Sequence, residues 1–252
     1  MTHNENETCL HGGGEFSHAV WDAEVVSPQS LKMTYVSPDS ANGFNGEMTV
    51  SVVFTLDDDN LLSIEYAGVC TEKTIMNFTN HSYFNLGGYA AGSVRNHLLT
   101  IDADFYTPMD KDSIPTGEIA PVKNTPFDFT NTKPIGQDID AVHEQIRLGN
   151  GYDHNFCLNK SDDDAVKATV ICPETGRKML LYTDLPGVQL YTGNFLDNIE
   201  GKNGTKMHKN DGFCLETQFY PDTPNQSHFP NCVVEKESVF KTKTAFCFCI
   251  NK

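Results

Sequence analysis

Four segments of this 252-residue chain gather the side chains that move protons and hold polar ligands: Asn77 to Gly88, Gly151 to Leu158, Pro186 to Asp197 and Gly212 to Asn225. Each mixes aromatic rings with amides, imidazoles or carboxylates. Rings stack on the apolar face of a pyranose, while carboxylates and amides take its hydroxyls, so such segments suit a sugar. The same composition also serves ordinary loop packing. A metal is the rival chemistry for the imidazoles and carboxylates of His11, His81, Asp153 and Glu216. The H-x-H or H-x-x-x-H spacing that often builds a metal site is missing among them, so no metal is expected.

The elements that must position these segments read as β throughout. Met48, Val50, Val52, Phe54 and Leu56 alternate, Asp57-Asp58-Asp59-Asn60 turns the chain, and Leu62, Ile64 and Tyr66 alternate again. That pattern predicts a hairpin. Val166, Ala168 and Val170 repeat it, followed by a Pro173-Glu174-Thr175-Gly176 turn and then Met179 and Leu181. Phe246, Phe248 and Ile250 close the chain in the same way. Asn-Gly steps at 42–43, 45–46, 150–151 and 203–204 punctuate the segments. No window carries a sustained helical stripe with caps; Gln137 to Glu144 has room for one short helical turn. No repeat, linker or composition shift divides the chain. The expectation is an all-β fold, one large antiparallel sandwich or barrel domain over 1–252.

Composition narrows the function classes. Lys plus Arg is 18 against 34 for Asp plus Glu, a net charge of −16. So acidic a chain offers no clustered cations for a phosphate backbone and none for an anionic membrane surface. No apolar run approaches the ~20 residues of a membrane span. The polar opening residues Met1 to Thr8 predict no export signal. Eight cysteines occur without any C-x-x-C pair, which predicts reduced thiols in a cytoplasmic protein. Cys247 and Cys249 fall on one strand face, and buried packing is expected for them.

Several runs together resemble the aldose 1-epimerase (galactose mutarotase) family. They are Leu10-His11-Gly12-Gly13, the stretch from Asn77 through His81-Ser82-Tyr83-Phe84-Asn85 to Gly88, Tyr152-Asp153-His154-Asn155-Phe156, Pro186 to Phe195, and Gly212 to Gln218. Their order and spacing also fit, and the resemblance covers the chain from about Cys9 to its end. It implies a mutarotase-type β-sandwich and interconversion of the α and β anomers of a free aldohexose, galactose or glucose, by acid–base ring opening and reclosure. Glu216 matches the family's catalytic base and His81 its general acid; each is also a residue type that folds use structurally. His11, Asp153 and Gln189 match sugar-binding positions. No cofactor is implied, because mutarotation involves no redox change and no activated leaving group. The implied partner is a small-molecule aldohexose, with no nucleic acid and no membrane, and the protein is expected to be a monomer.

Departures from the family pattern set further expectations. The family carries a segment ahead of its Leu-His-Gly-Gly run, with an Asn and an Arg that contact the sugar. Here ten residues precede His11, and Arg95, Arg147 and Arg177 lie in other contexts. A shortened amino-terminal part, with exposed sheet edges and weaker sugar binding, is therefore expected. The alternative function is a catalytically impaired or truncated sugar-binding relative. A sugar-phosphate epimerase would want a cationic cluster that this chain lacks. Phe219-Tyr220 is expected to form an aromatic wall beyond Glu216.

Overall fold

The computed structural model describes residues 1–252 apart from Asn6, Asp163 and Lys252. The chain divides into two compact units, Met1–Phe78 with Asn231–Ala245, and Thr79–Pro230 with Phe246–Lys252.

In the first unit a tight turn, Leu10–Gly14, leads into α1 (Glu15–His18). An antiparallel meander follows: β1 (Asp22–Ser27), β2 (Ser30–Ser37), β3 (Met48–Leu56) and β4 (Leu61–Cys70). The β3–β4 hairpin is the one that the alternation predicts, with Val52 opposite Tyr66 and Phe54 opposite Ile64. Its turn closes because Oδ1 of Asp57 accepts from the amides of Asp59 and Leu61, both at 2.9 Å, while Asn60 takes a left-handed φ of 60°. The core of this unit is Met48, Val50, Cys70, Met76 and Val234, with Phe16, Trp21, Phe78 and Phe240 packed against it. β1 lies at the end of the meander, and Val25 and Val26 on it are exposed. β5 (Thr74–Ile75) ends this stretch.

The second unit holds β6 (Leu98–Ile101), β7 (Phe105–Tyr106), β8 (Ala120–Pro121), β9 (Lys133–Pro134), α2 (Glu144–Gly149), β10 (Asp153–Cys157), β11 (Ala168–Ile171) and β12 (Arg177–Thr183). It continues with β13 (Gly187–Tyr191), β14 (Ile199–Glu200), β15 (Lys206–Met207) and β16 (Cys214–Gln218). One antiparallel sheet has the order β12-β11-β6-β9, another the order β16-β13-β10-β7-β8, and β14 and β15 form a separate ribbon. The chain then returns to the first unit with β17 (Val233–Val234), which pairs with β5, and with β18 (Phe240–Ile250), whose last five residues belong to the second unit.

The fold is all-β and antiparallel, as the alternating pattern predicts. β11 and β12 set Ala168 opposite Leu181 and Val170 opposite Met179, and all four are buried. Val166 lies outside the strand and is partly exposed. Phe127, Phe129, Tyr152 and Phe156 are fully buried, each contributing roughly 1.5–3 kcal/mol over exposure. Two local expectations need correction. The helical turn expected over 137–144 falls on either side of that stretch, as a short turn at Ile135–Gln137 and as α2. The reason is capping: the His143 ring accepts from the Gln145 amide at 3.3 Å and starts the helix there. Cys247 and Cys249 do not pack in the core; the first is half-buried and the second exposed, because the buried face of β18 ends at Phe246. Among the described residues no helix is long and apolar enough to cross a membrane.

Candidate active site

Register builds one polar face in the second unit. β10, β13 and β16 lie side by side, with Asn155 opposite Gln189 and Gln189 opposite Glu216. One step along, Asp153 is opposite Tyr191 and Tyr191 opposite Cys214. Side chains alternate between faces, so Asp153, Asn155, Gln189, Tyr191, Cys214, Glu216 and Gln218 share one side. The intervening His154, Phe156, Val188, Leu190, Leu215 and Thr217 turn the other way and are buried. Side-chain amides tie the polar face together. Gln189 Nε2 donates to Asp153 Oδ1 at 2.8 Å, and Gln218 Nε2 donates to Gln189 Oε1 at 3.2 Å. Gly187 is required in this row, since a Cβ there would come within 2.4 Å of Asn155 Oδ1.

His154 anchors the strand beneath. Its Nδ1 accepts from the Asp153 amide at 3.1 Å, so the ring proton is on Nε2, which donates to Gln145 Oε1 at 3.1 Å. Burial, followed by the nearby His143, pushes its pKa down to about 3, so the ring is neutral.

His81 arrives on a loop that is pinned at its far end. Phe84 and Phe213 exchange backbone hydrogen bonds at 2.8 and 3.0 Å, which fixes the loop beside the start of β16. Asn85 Nδ2 donates to the carbonyls of Gly92 and Asp211, and Arg177 Nη1 donates to those of Leu86 and Gly87. The imidazole Nε2 then lies 3.6 Å from Glu216 Oε1, and Nδ1 lies 3.4 Å from Cys214 Sγ. The ring is 36% exposed, whereas the Glu216 side chain is 5% exposed. Tyr83 and Tyr191 pack against it with centroids at 5.3 and 5.8 Å.

Burial governs the electrostatics. It pushes the Glu216 carboxyl from its ordinary 4.5 up to about 8, and the Asp153 carboxylate adds to the rise. Asp153 is raised by its own burial, partly offset by the Gln189 amide and by His81. The Cys214 thiol is pushed well above its ordinary value by burial and then by Glu216 and Asp153, so it stays neutral. A small cleft lies along the same face, lined by Asp153, Asn155 and Gln189 with Thr107 and Pro221 among others. Asn155 Nδ2 and Thr107 Oγ1 are buried there without a hydrogen-bond partner.

Of the residues that the sequence pointed to, His81, Asp153, Gln189 and Glu216 come together in the second unit. His11 lies in the first unit, in a turn where residues 11 to 14 all have positive φ, from 49° to 82°. Arg147 is exposed, Arg95 pairs with Asp140, and Arg177 holds the His81 loop. Tyr220 is buried against Cys157 and Phe229, with its ring also beside Gly187 of the polar row. Sequence reasoning missed Cys214, Gln218 and the Tyr83–Tyr191 pair as neighbours of the imidazole and its partners. Only the period-2 offset of Cys214 and Gln218 from Glu216 signalled them. His81, Cys214 and Glu216 also place one donor atom each within 4.8 Å of one another. The two imidazole nitrogens address different partners.

A buried carboxyl with a raised pKa, set against an imidazole over a polar face, is the equipment of an enzyme that transfers protons on a small polar substrate. The family model described as Aldose 1-epimerase matches residues 1–247. The galactose mutarotase of Homo sapiens is 41% identical over 249 residues, covering 98% of this chain and 71% of that protein. An aldose 1-epimerase of Haemophilus influenzae is 39% identical over 233 residues, 92% of this chain and 67% of that one. The crystal structure of an aldose epimerase homologue from C. elegans superposes with a TM-score of 0.90 at 26% identity, covering 100% of this chain and 75% of that one. This chain belongs to the aldose 1-epimerase family.

Proposed function

We propose that this protein interconverts the α and β anomers of a free aldohexose, galactose or glucose, with Glu216 as base and His81 as acid. The observation that carries the reading is the His81 Nε2 to Glu216 Oε1 approach of 3.6 Å, on a carboxyl whose pKa is raised to about 8. Glu216 takes the proton of the anomeric hydroxyl. As the C1–O5 bond breaks, Nε2 of His81 gives its proton to the ring oxygen, leaving an aldehyde at C1. Rotation about C1–C2 presents the other face, and the same two groups return their protons in reverse as the ring recloses. O1 and O5 share one carbon, so a base and an acid this close serve both.

Asp153 and Gln189 hold sugar hydroxyls. Gln189 already donates to Asp153 at 2.8 Å, which fixes the carboxylate for a hydroxyl donor. Asn155 Nδ2 and Thr107 Oγ1 offer further polar contacts along the cleft. His11 is assigned to sugar binding on its motif, and its left-handed backbone in a glycine run is the kind of strain that accompanies function. The chain acts as one domain, a reading supported by a single family match across both units. It works as a monomer in the cytoplasm, a placement that rests on eight cysteines without C-x-x-C spacing.

Saturation-transfer NMR tests the substrate class. Irradiating the α-anomeric proton of galactose or glucose at equilibrium should attenuate the β signal only when the protein is present. Folded protein that leaves both sugars' anomer exchange at the solvent rate would overturn the reading.

A further inference from the structure

The far side of the His81 ring has no part in the mechanism above. Its Nδ1 lies 3.4 Å from Cys214 Sγ. Cys214 sits two residues before Glu216 on β16, on the same face, and is fully buried. Burial and the neighbouring Glu216 and Asp153 carboxyls keep its thiol neutral. One strand thus brackets the imidazole, with sulfur at Nδ1 and carboxyl at Nε2. Other groups facing the ring include Tyr83 from its own loop, Tyr191 from β13 and Asp153 from β10.

We infer that Cys214 is a positioning residue: its sulfur accepts the Nδ1–H of His81 and so reserves Nε2 as the nitrogen that exchanges a proton with the sugar. The inference rests on the roles proposed for Glu216 and His81. The proton balance follows directly. The charged ring carries a proton on each nitrogen. Nε2–H passes to O5 as C1–O5 breaks, and Nδ1–H stays on the sulfur. The neutral ring left behind has a basic Nε2, which takes the proton back on reclosure. Glu216 gains and returns the anomeric proton in the same steps. No proton crosses the ring and no side chain turns over. A carboxylate in place of the thiol would hold the imidazolium and its acidic proton more tightly. A thiol is a weak acceptor, so it orients the ring without opposing proton release.

Nitrogen-15 NMR of protein labelled at histidine reads the tautomer directly. Free histidine favours the Nε2–H form, whereas His81 in the wild-type protein should show Nδ1–H when neutral. Cys214→Ala should lose that bias and lower kcat by roughly tenfold with KM nearly unchanged, the scale of one weak hydrogen bond. Cys214→Ser keeps an oxygen acceptor and should recover part of both effects. An Nε2–H wild-type ring overturns the inference, as does a folded Cys214→Ala protein with unchanged tautomer and kcat. Should the alanine variant not fold, the wild-type tautomer and the serine variant decide. Glu216→Gln and His81→Asn separate the site assignment from the role of Cys214. If either still accelerates mutarotation, the site assignment fails and this inference with it; if both are inactive while the Cys214 variants match wild type, only this inference fails.

Discussion

Burial acts on Glu216 in two ways at once. It lifts the carboxyl towards working pH, which suits a base, and it makes the charged form costly to the folded chain. For activity, kcat/KM should climb with pH as Glu216 ionises towards about 8, in a pH-rate profile. A profile flat from pH 6 to 9 (roughly a thousandfold change in proton activity) would show that Glu216 is not the titrating base. For stability the sign is opposite. The unfolded carboxyl titrates near 4.5 and the folded one near 8, so between those values the folded state holds the extra proton. Stability from this group is complete below pH 4.5 and is lost as pH rises to about 8. Glu216→Gln has no such carboxyl, so its melting temperature should overtake wild type towards pH 8, by the equivalent of a few kcal/mol, at about 1.4 kcal/mol for each tenfold change in the acid constant. Asp153 is raised in the same direction and leaves a residual slope. Parallel melting curves for the two proteins would contradict the burial argument.

The elements set the precision of the site. The His81 loop is tied down by side chains more than by strand pairing, and Asn85 is its main tie, with donors to Gly92 and Asp211. Asn85→Ala leaves two carbonyls without that donor and should cost about 1–3 kcal/mol. Because the loop carries His81, the proposed acid, kcat should fall more than KM rises, and loop amides should exchange faster with deuterium. A stability loss with kcat intact would mean the Phe84–Phe213 bridge positions the ring unaided. On the sheet side, Gly187→Ala presses a methyl towards Asn155 and should raise KM for the sugar while the melting temperature falls. An unchanged KM would remove the polar row from sugar binding. Strands with one apolar face, β3, β4, β11 and β12, were legible from alternation. β10 was not, since Asp153 to Cys157 is largely buried on both faces and its His154 is buried against Gln145. That assignment depends on Gln145, nine residues away on α2, which no local pattern announces.

Across the whole molecule, the class of fold was readable because period-2 alternation survives wherever one face meets a core. The division into two units was not, because no linker or composition change marks it; the boundary falls inside β18, a continuous strand. The grouping of His81, Asp153, Gln189 and Glu216 was legible through their motifs, while Cys214 was hidden because its place depends on which nitrogen of a distant ring it meets. Since a single strand contributes to both units, calorimetry should show one transition with equal calorimetric and van't Hoff enthalpies. Two resolved transitions would show that the units unfold separately.

The most direct test of the central claim is polarimetry on freshly dissolved α-D-galactose and α-D-glucose. The wild-type protein should speed relaxation to the equilibrium rotation for at least one of them, and Glu216→Gln, matched in size and lacking the base, should lose roughly a hundredfold or more of that acceleration. Equal acceleration by both proteins, or none from folded wild type, would contradict catalysis by the Glu216–His81 pair.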